Sequence, residues 1–193
     1  MSQARAPRAD AVRNRKKILD AAREQISLHG PEAGMDEIAI AAGVAVGTLY
    51  RHFPNKTDLV AAVIAEYLDK VAADAEAAVA RVAAGAHALD EITRFLERVV
   101  EASAADHAVK AVALPLGADP SDKDDAVRRA ATALAALIQA GQEDGDIHPD
   151  VTIDDMYLLF STAPTGQPAA ARARWLTLFL PGLTTRARGV TDL

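Results

Sequence analysis

Apolar residues recur along most of the chain three and four positions apart, the period of an amphipathic helix, and no segment gives a strand signal. The first stripe, Ile18, Ala22 and Ile26, predicts a helix from about Asp10 to Leu28, stopped by Gly30-Pro31. Residues 1–9 lack that period and read as a disordered arm. Asp36–Ala42 and Val46–Phe53 form two short helical runs folded across Gly43, with Val46, Leu49 and Phe53 on one side of the second. Pro54 blocks its continuation, and Asn55 with Asp58 three residues on opens a helix through Val60, Val63, Ile64, Tyr67 and Leu68 to about Val71.

The remaining pattern is helical as well. One helix is expected over Ala72–Ala84, ended by Gly85, and another with Leu89, Ile92, Phe95, Leu96 and Val99 inward. A short apolar piece covers Val109 to Leu116, and Ser121 caps a helix whose stripe is Val127, Leu134, Leu137 and Ile138. Thr152 and Asp155 resemble a capping box for Ile153–Thr162. Gly166-Gln167-Pro168 opens a last helix around Trp175, with a kink or early end expected near Leu180 because Pro181 removes a backbone donor. The fold class is therefore all-α.

Composition agrees: half of the 193 residues are hydrophobic, mostly Ala, Leu and Val, with few aromatics. The absence of cysteine excludes disulfides and thiolate chemistry. No apolar run approaches the roughly 20 residues needed to span a bilayer, and the basic N-terminus precedes no signal-peptide core, so a cytoplasmic protein is expected. The net charge of −6 hides an asymmetry, since residues 1–60 hold nine of the 21 Lys/Arg against only seven of the 27 Asp/Glu. A basic head on an acidic body suits a chain of which only the head meets phosphate.

The five histidines are scattered, no nucleophile motif surrounds Ser103 or Ser161, and neither a catalytic set nor a metal or cofactor site is expected. The informative stretch is Met35–Phe53. Its second helix turns Gly47, Thr48, Tyr50 and Arg51 outward, with Ala45 and His52 near the edge. A short helix with a small, polar and cationic face, propped on another, is what a major groove accepts. By spacing alone an ordinary helical hairpin remains an even alternative.

The wording Gly43-Val44, then Gly47-Thr48-Leu49-Tyr50-Arg51-His52-Phe53, Asn55-Lys56 and Leu59 resembles the DNA-binding head of the TetR family. That resemblance covers about a third of the chain. It implies a three-helix helix-turn-helix head over residues 11–71, with the motif at 34–53, and a larger helical domain over 72–193 for ligand binding and dimerisation. Carried over by position, Thr48, Tyr50, His52 and Lys56 match residues that touch DNA, largely at phosphate. Gly34 departs from the usual Ser or Thr, and Val46 from the usual Lys, Arg or Pro. The expected DNA-binding set is Gly34, Ala45, Val46, Gly47, Thr48, Tyr50, Arg51, His52 and Lys56, with Thr48 and Arg51 at base edges.

The implied partners are double-stranded operator DNA, a small-molecule ligand and a second copy of the chain through Ile153–Thr162 and the Trp175 helix. Both segments are too apolar all round for surface helices, so by pattern alone they are either core or a subunit interface. Pocket candidates on inward faces are Val63, Tyr67, Phe95, Val99, Leu114 and Leu137. A repressor released by its ligand is the expected activity; a ligand-independent architectural or activating DNA-binding protein is the alternative.

Overall fold

The computed structural model describes residues 5–118 and 123–185. Helices α1 (Arg5–His29), α2 (Met35–Ala41), α3 (Val46–His52), α4 (Lys56–Ala83) and α5 (Ala88–Ala105) come first. They are followed by α6 (His107–Leu116), α7 (Lys123–Glu143), α8 (Ile153–Thr162) and α9 (Ala169–Leu183). Among the described residues the sole β feature is an isolated antiparallel bridge between Ile147 and Thr184. No described helix is long and apolar enough to cross a membrane.

Several ends form as the sequence requires. Asn55 Oδ1 accepts the Asp58 amide at 2.9 Å and caps α4. Thr152 and Asp155 close a capping box, with Asp155 Oδ2 accepting from the Thr152 amide at 2.8 Å. That side-chain and backbone bonding to Thr152 holds the Asp155 carboxyl below its ordinary value. Ser121, the expected cap of α7, lies outside the described residues.

Other expectations give way. Residues 5–9 continue α1 rather than forming an arm, because Pro7 is tolerated in a first turn whose amides lack helical partners anyway. The break expected at Val71–Ala72 is absent, since neither glycine nor proline interrupts the run and buried Ala72, Ala75 and Ala78 extend the inward stripe. In α9, Pro181 stands within the last turn and the helix runs on to Leu183. A missing amide so near the end removes little of the ladder. Val127, expected inward, is 37% exposed; Ala126 takes the buried position on α7.

The chain divides into two compact units, one holding residues up to Tyr67 together with Asp106–Lys123, the other Leu68–Ala105 and the chain from Asp124. In the first unit, Ile18, Ala22 and Ile26 of α1 bury against Ile38 and Ala39 of α2, Leu49 of α3, and Leu59, Val60 and Val63 of α4. Val109, Val112 and Ala113 of α6 complete this core, so α6 packs with the head although its sequence position suggests the larger domain. The apolar period of a helix says which face is covered, not by what. In the second unit Ala75 and Ala78, Ile92, Phe95 and Leu96, Leu134 and Leu137, Met156, Leu159 and Leu176 share one core.

Candidate nucleic-acid interface

Gly43 adopts φ +63°, a left-handed backbone that costs other residues energy, and it ends α2 so that α3 can fold back. Ile38 and Ala39 are fully buried on α2, and Leu49 and Phe53 are buried on the inner side of α3. Val46 departs from the expected buried side: it is 38% exposed. As the first residue of a seven-residue helix it has no preceding turn to cover it. The outer surface of α3 therefore runs from exposed Ala45, Val46 and Gly47 to half-buried Thr48, then exposed Tyr50 and Arg51 and half-buried His52. Within it the Arg51 guanidinium donates to Thr48 Oγ1 at 3.4 Å.

Gly34 is the N-cap of α2 with extended backbone, and its amide donates to Glu37 Oε2 at 3.1 Å. The Glu37 carboxylate thus makes the return half of a capping box, while Gly34, lacking a side chain, supplies no acceptor for the Glu37 amide. Lys56 differs from expectation in its partners. Its ammonium donates to the carbonyl oxygens of Pro31 at 2.6 Å and Ala33 at 2.7 Å, tying the start of α4 to the short 3-10 turn Gly30–Glu32 that leads into α2. Arg15, which sequence reasoning passed over, lies 5.4 Å from the centre of the Phe53 ring. No spacing rule could have joined residues so far apart in the chain.

Part of the head's positive charge is matched internally. Arg13 pairs with Asp10, and Lys16 with Asp20 at 3.0 Å, a hydrogen bond that raises the Lys16 pKa. Arg23 Nε donates to Asp106 Oδ1 at 2.6 Å, while its Nη2 reaches Glu66 at 3.4 Å. Lys110 stands 4.3 Å from the Tyr67 ring centre, and burial lowers its pKa against partial support from Asp106.

The six pocket candidates divide between the two units. Val63 is fully buried in the head core, and Tyr67 belongs to the same unit. Phe95, Val99 and Leu137 are buried in the second unit. Leu114 is 85% exposed, a correction: α6 turns Val112 and Ala113 inward, which leaves Leu114 on the open side. A cleft of about 260 Å³ lies instead between α5 and α9, lined by Glu97, Val100, Glu101, Arg172, Leu176 and Leu180 among others. Its charged edge is the Arg172–Glu101 pair, bonded at 3.0 and 2.5 Å.

Among the described residues one cluster brings metal-ligand atoms within 4.8 Å, His87, Asp144 and Asp146. His87 Nε2 already meets Asp146 Oδ2 at 2.9 Å, a contact that ties the turn before α5 to the loop after α7.

The residues that build this head, 18–63, match the family model described as bacterial regulatory proteins, tetR family. Residues 86–185, just over half of the chain, match the C-terminal domain of SbtR-like transcriptional regulators. An uncharacterised HTH-type regulator, TtgW of Pseudomonas putida, is 43% identical over 63 residues, 32% of this chain and 47% of that protein. The chain thus matches less than half the length of this curated relative. Among solved structures, a TetR regulatory protein from Mycobacterium vanbaalenii is 28% identical with a TM-score of 0.72, covering 92% of this chain and 99% of that one. A second, the TetR regulator SCO0520 of Streptomyces coelicolor, is 29% identical with a TM-score of 0.64, covering 90% and 99%. Helical head, helical second unit and both matched models agree: the chain belongs to the TetR family of transcriptional regulators.

Proposed function

We propose that the protein represses transcription by binding a pseudo-palindromic operator as a homodimer, and that a small molecule releases it. The observation that carries the DNA-binding reading is the outer surface of α3, where Thr48, Tyr50 and Arg51 stand beside small residues on a helix fixed from behind by Leu49 and Phe53. In this reading Arg51 and Thr48 meet base edges, and Tyr50 and His52 meet phosphate. Lys56 acts first by holding the turn before α2, with its remaining ammonium proton directed to phosphate. Gly34 and Ala45 bring backbone close to the duplex, and Gly47 keeps the path into the groove clear.

Dimerisation is supported by helices that are apolar on two sides. In α8, Met156 and Leu159 are buried while Tyr157 and Leu158 are 47% and 64% exposed. In α9, Leu176 is buried while Leu178 and Phe179 are 55% and 45% exposed. Covering these faces with a second copy removes apolar surface from water and gives two heads for two half-sites. For the ligand, the α5–α9 cleft is a better candidate than the six residues expected from the sequence, because it already has volume and a polar edge.

Footprinting on the DNA upstream of the protein's own gene tests the first part; a protected, two-fold related pair of half-sites is expected. For release, a panel of amphipathic compounds is titrated with and without that DNA. A ligand that weakens operator binding must itself bind more weakly in the presence of operator, by the same factor. A compound with equal affinity in both titrations is not an inducer.

A further inference from the structure

The start of α3 is chemically unlike the rest of its outer surface. Ala45, Val46 and Gly47 follow one another there, all exposed, and none carries a side-chain donor or acceptor. Polar groups begin only at Thr48. A recognition helix presents its N-terminal residues to base edges, so the positions best placed for the groove floor are those that cannot read it by hydrogen bonds. Only one base offers an apolar group in the major groove, the 5-methyl of thymine. We infer that Val46 reads that methyl group in each half-site. The inference rests on the DNA-binding reading above and names the base chemistry it uses.

Three features favour Val46 as the contact. Packing uses it less than its neighbours, because Leu49 and Phe53 fill the inner side of α3 at 0% and 4% exposure while Val46 is 38% exposed. A β-branched side chain is restricted at χ1, which limits the places its two methyl groups can take before DNA arrives. Beside it Gly47 leaves open space, since a Cβ built there meets nothing within 4 Å. A base edge can therefore approach the valine closely. Ala45 is shorter by two methyl groups. Thr48 is half-buried and its hydroxyl is engaged by Arg51.

The test uses the full-length protein and a duplex it enriches from a random library. Each thymine is replaced in turn by deoxyuridine, which removes one methyl and keeps every hydrogen-bonding group. The expected result is one thymine per half-site whose replacement weakens binding about 4-fold, the worth of roughly 0.8 kcal/mol for one buried methyl. Replacement in both half-sites gives about 15-fold. With Val46→Ala, which favours the helix and so keeps the fold, the penalty at that thymine shrinks toward zero. With Thr48→Ser, which removes the neighbouring methyl, the penalty remains. An enriched duplex whose affinity ignores every deoxyuridine, or a Val46→Ala protein with the full penalty, overturns the inference while leaving DNA binding intact. A library from which nothing is enriched overturns the DNA-binding reading and the methyl contact with it.

Discussion

Replacing Lys56 with methionine keeps the aliphatic stem and deletes the ammonium. In the free protein that removes two charged hydrogen bonds, to Pro31 and Ala33 at 2.6 and 2.7 Å. Bonds from charged donors contribute about 1.5–3 kcal/mol each when sheltered. The half-exposed position of Lys56 brings the pair to the bottom of that range or just below it, about 2–3 kcal/mol together. For a chain of this size unfolding as one unit, each kcal/mol moves the midpoint by about 2–4 °C, so Lys56→Met should melt roughly 4–12 °C lower. The loss should be local at first, so backbone amides across Gly30–Met35 should exchange faster than those of α9. Thermal melts followed by circular dichroism, with hydrogen exchange on the same samples, measure both. A Lys56→Met protein that melts with the wild type and exchanges at wild-type rates across this turn refutes the carbonyl tie. Lys56 would then act on DNA alone.

Phe179→Asp and Leu158→Asp should give folded monomers with weakened operator binding, whereas Leu176→Asp, at a 4% exposed core position, should fail to fold; a wild-type chain sedimenting as a monomer at micromolar concentration sinks the dimer. Gly43→Ala should cost about 1–2 kcal/mol by urea denaturation, because its φ of +63° disfavours any side chain. Gly141→Ala should destabilise the second unit by about 1–3 kcal/mol, since the new Cβ meets buried Ile147 Cγ1 at 2.6 Å. Acid should weaken the second unit through Glu91, a buried carboxylate that Arg81 at 2.8 Å and Arg94 at 2.9 Å hold below its ordinary value. A lowered folded-state pKa gives stability that is complete above the ordinary value of 4.5 and is lost as pH falls through the folded one. Urea midpoints should therefore fall below about pH 5, and less steeply in Glu91→Gln.

Features legible in the sequence were those decided within one turn of helix. The Gly43 turn, the Asn55 cap and the Thr152–Asp155 box each depend on residues two to four positions apart, and all three form. The inner face of α5 was equally plain, with Ile92, Phe95, Leu96 and Val99 buried as their spacing requires. What escaped depends mostly on distant partners. Leu114 follows the apolar run of α6 yet faces out, because the head covers only the side with Val109 and Val112. Lys56 looked like a plain phosphate ligand because backbone carbonyls 23 and 25 residues away leave no mark in a pattern of side chains. Val46 fits the inward period of α3 and is exposed because the helix begins there.

The internal matching of the head's cations has a consequence for how this protein would find its site in a genome. Binding to arbitrary duplex is driven mainly by counterions released when Lys and Arg neutralise phosphates. Here Arg13, Lys16 and Arg23 are paired with carboxylates, so contact with DNA sets fewer ions free than nine basic residues would suggest. The grip on wrong sequence should accordingly be weak and short-lived, and dissociation, more than long sliding, would carry the search from one region to the next. Raised ionic strength would then take less from the true operator than from a head with all its cations unpaired, leaving recognition to the fit of α3 against its bases.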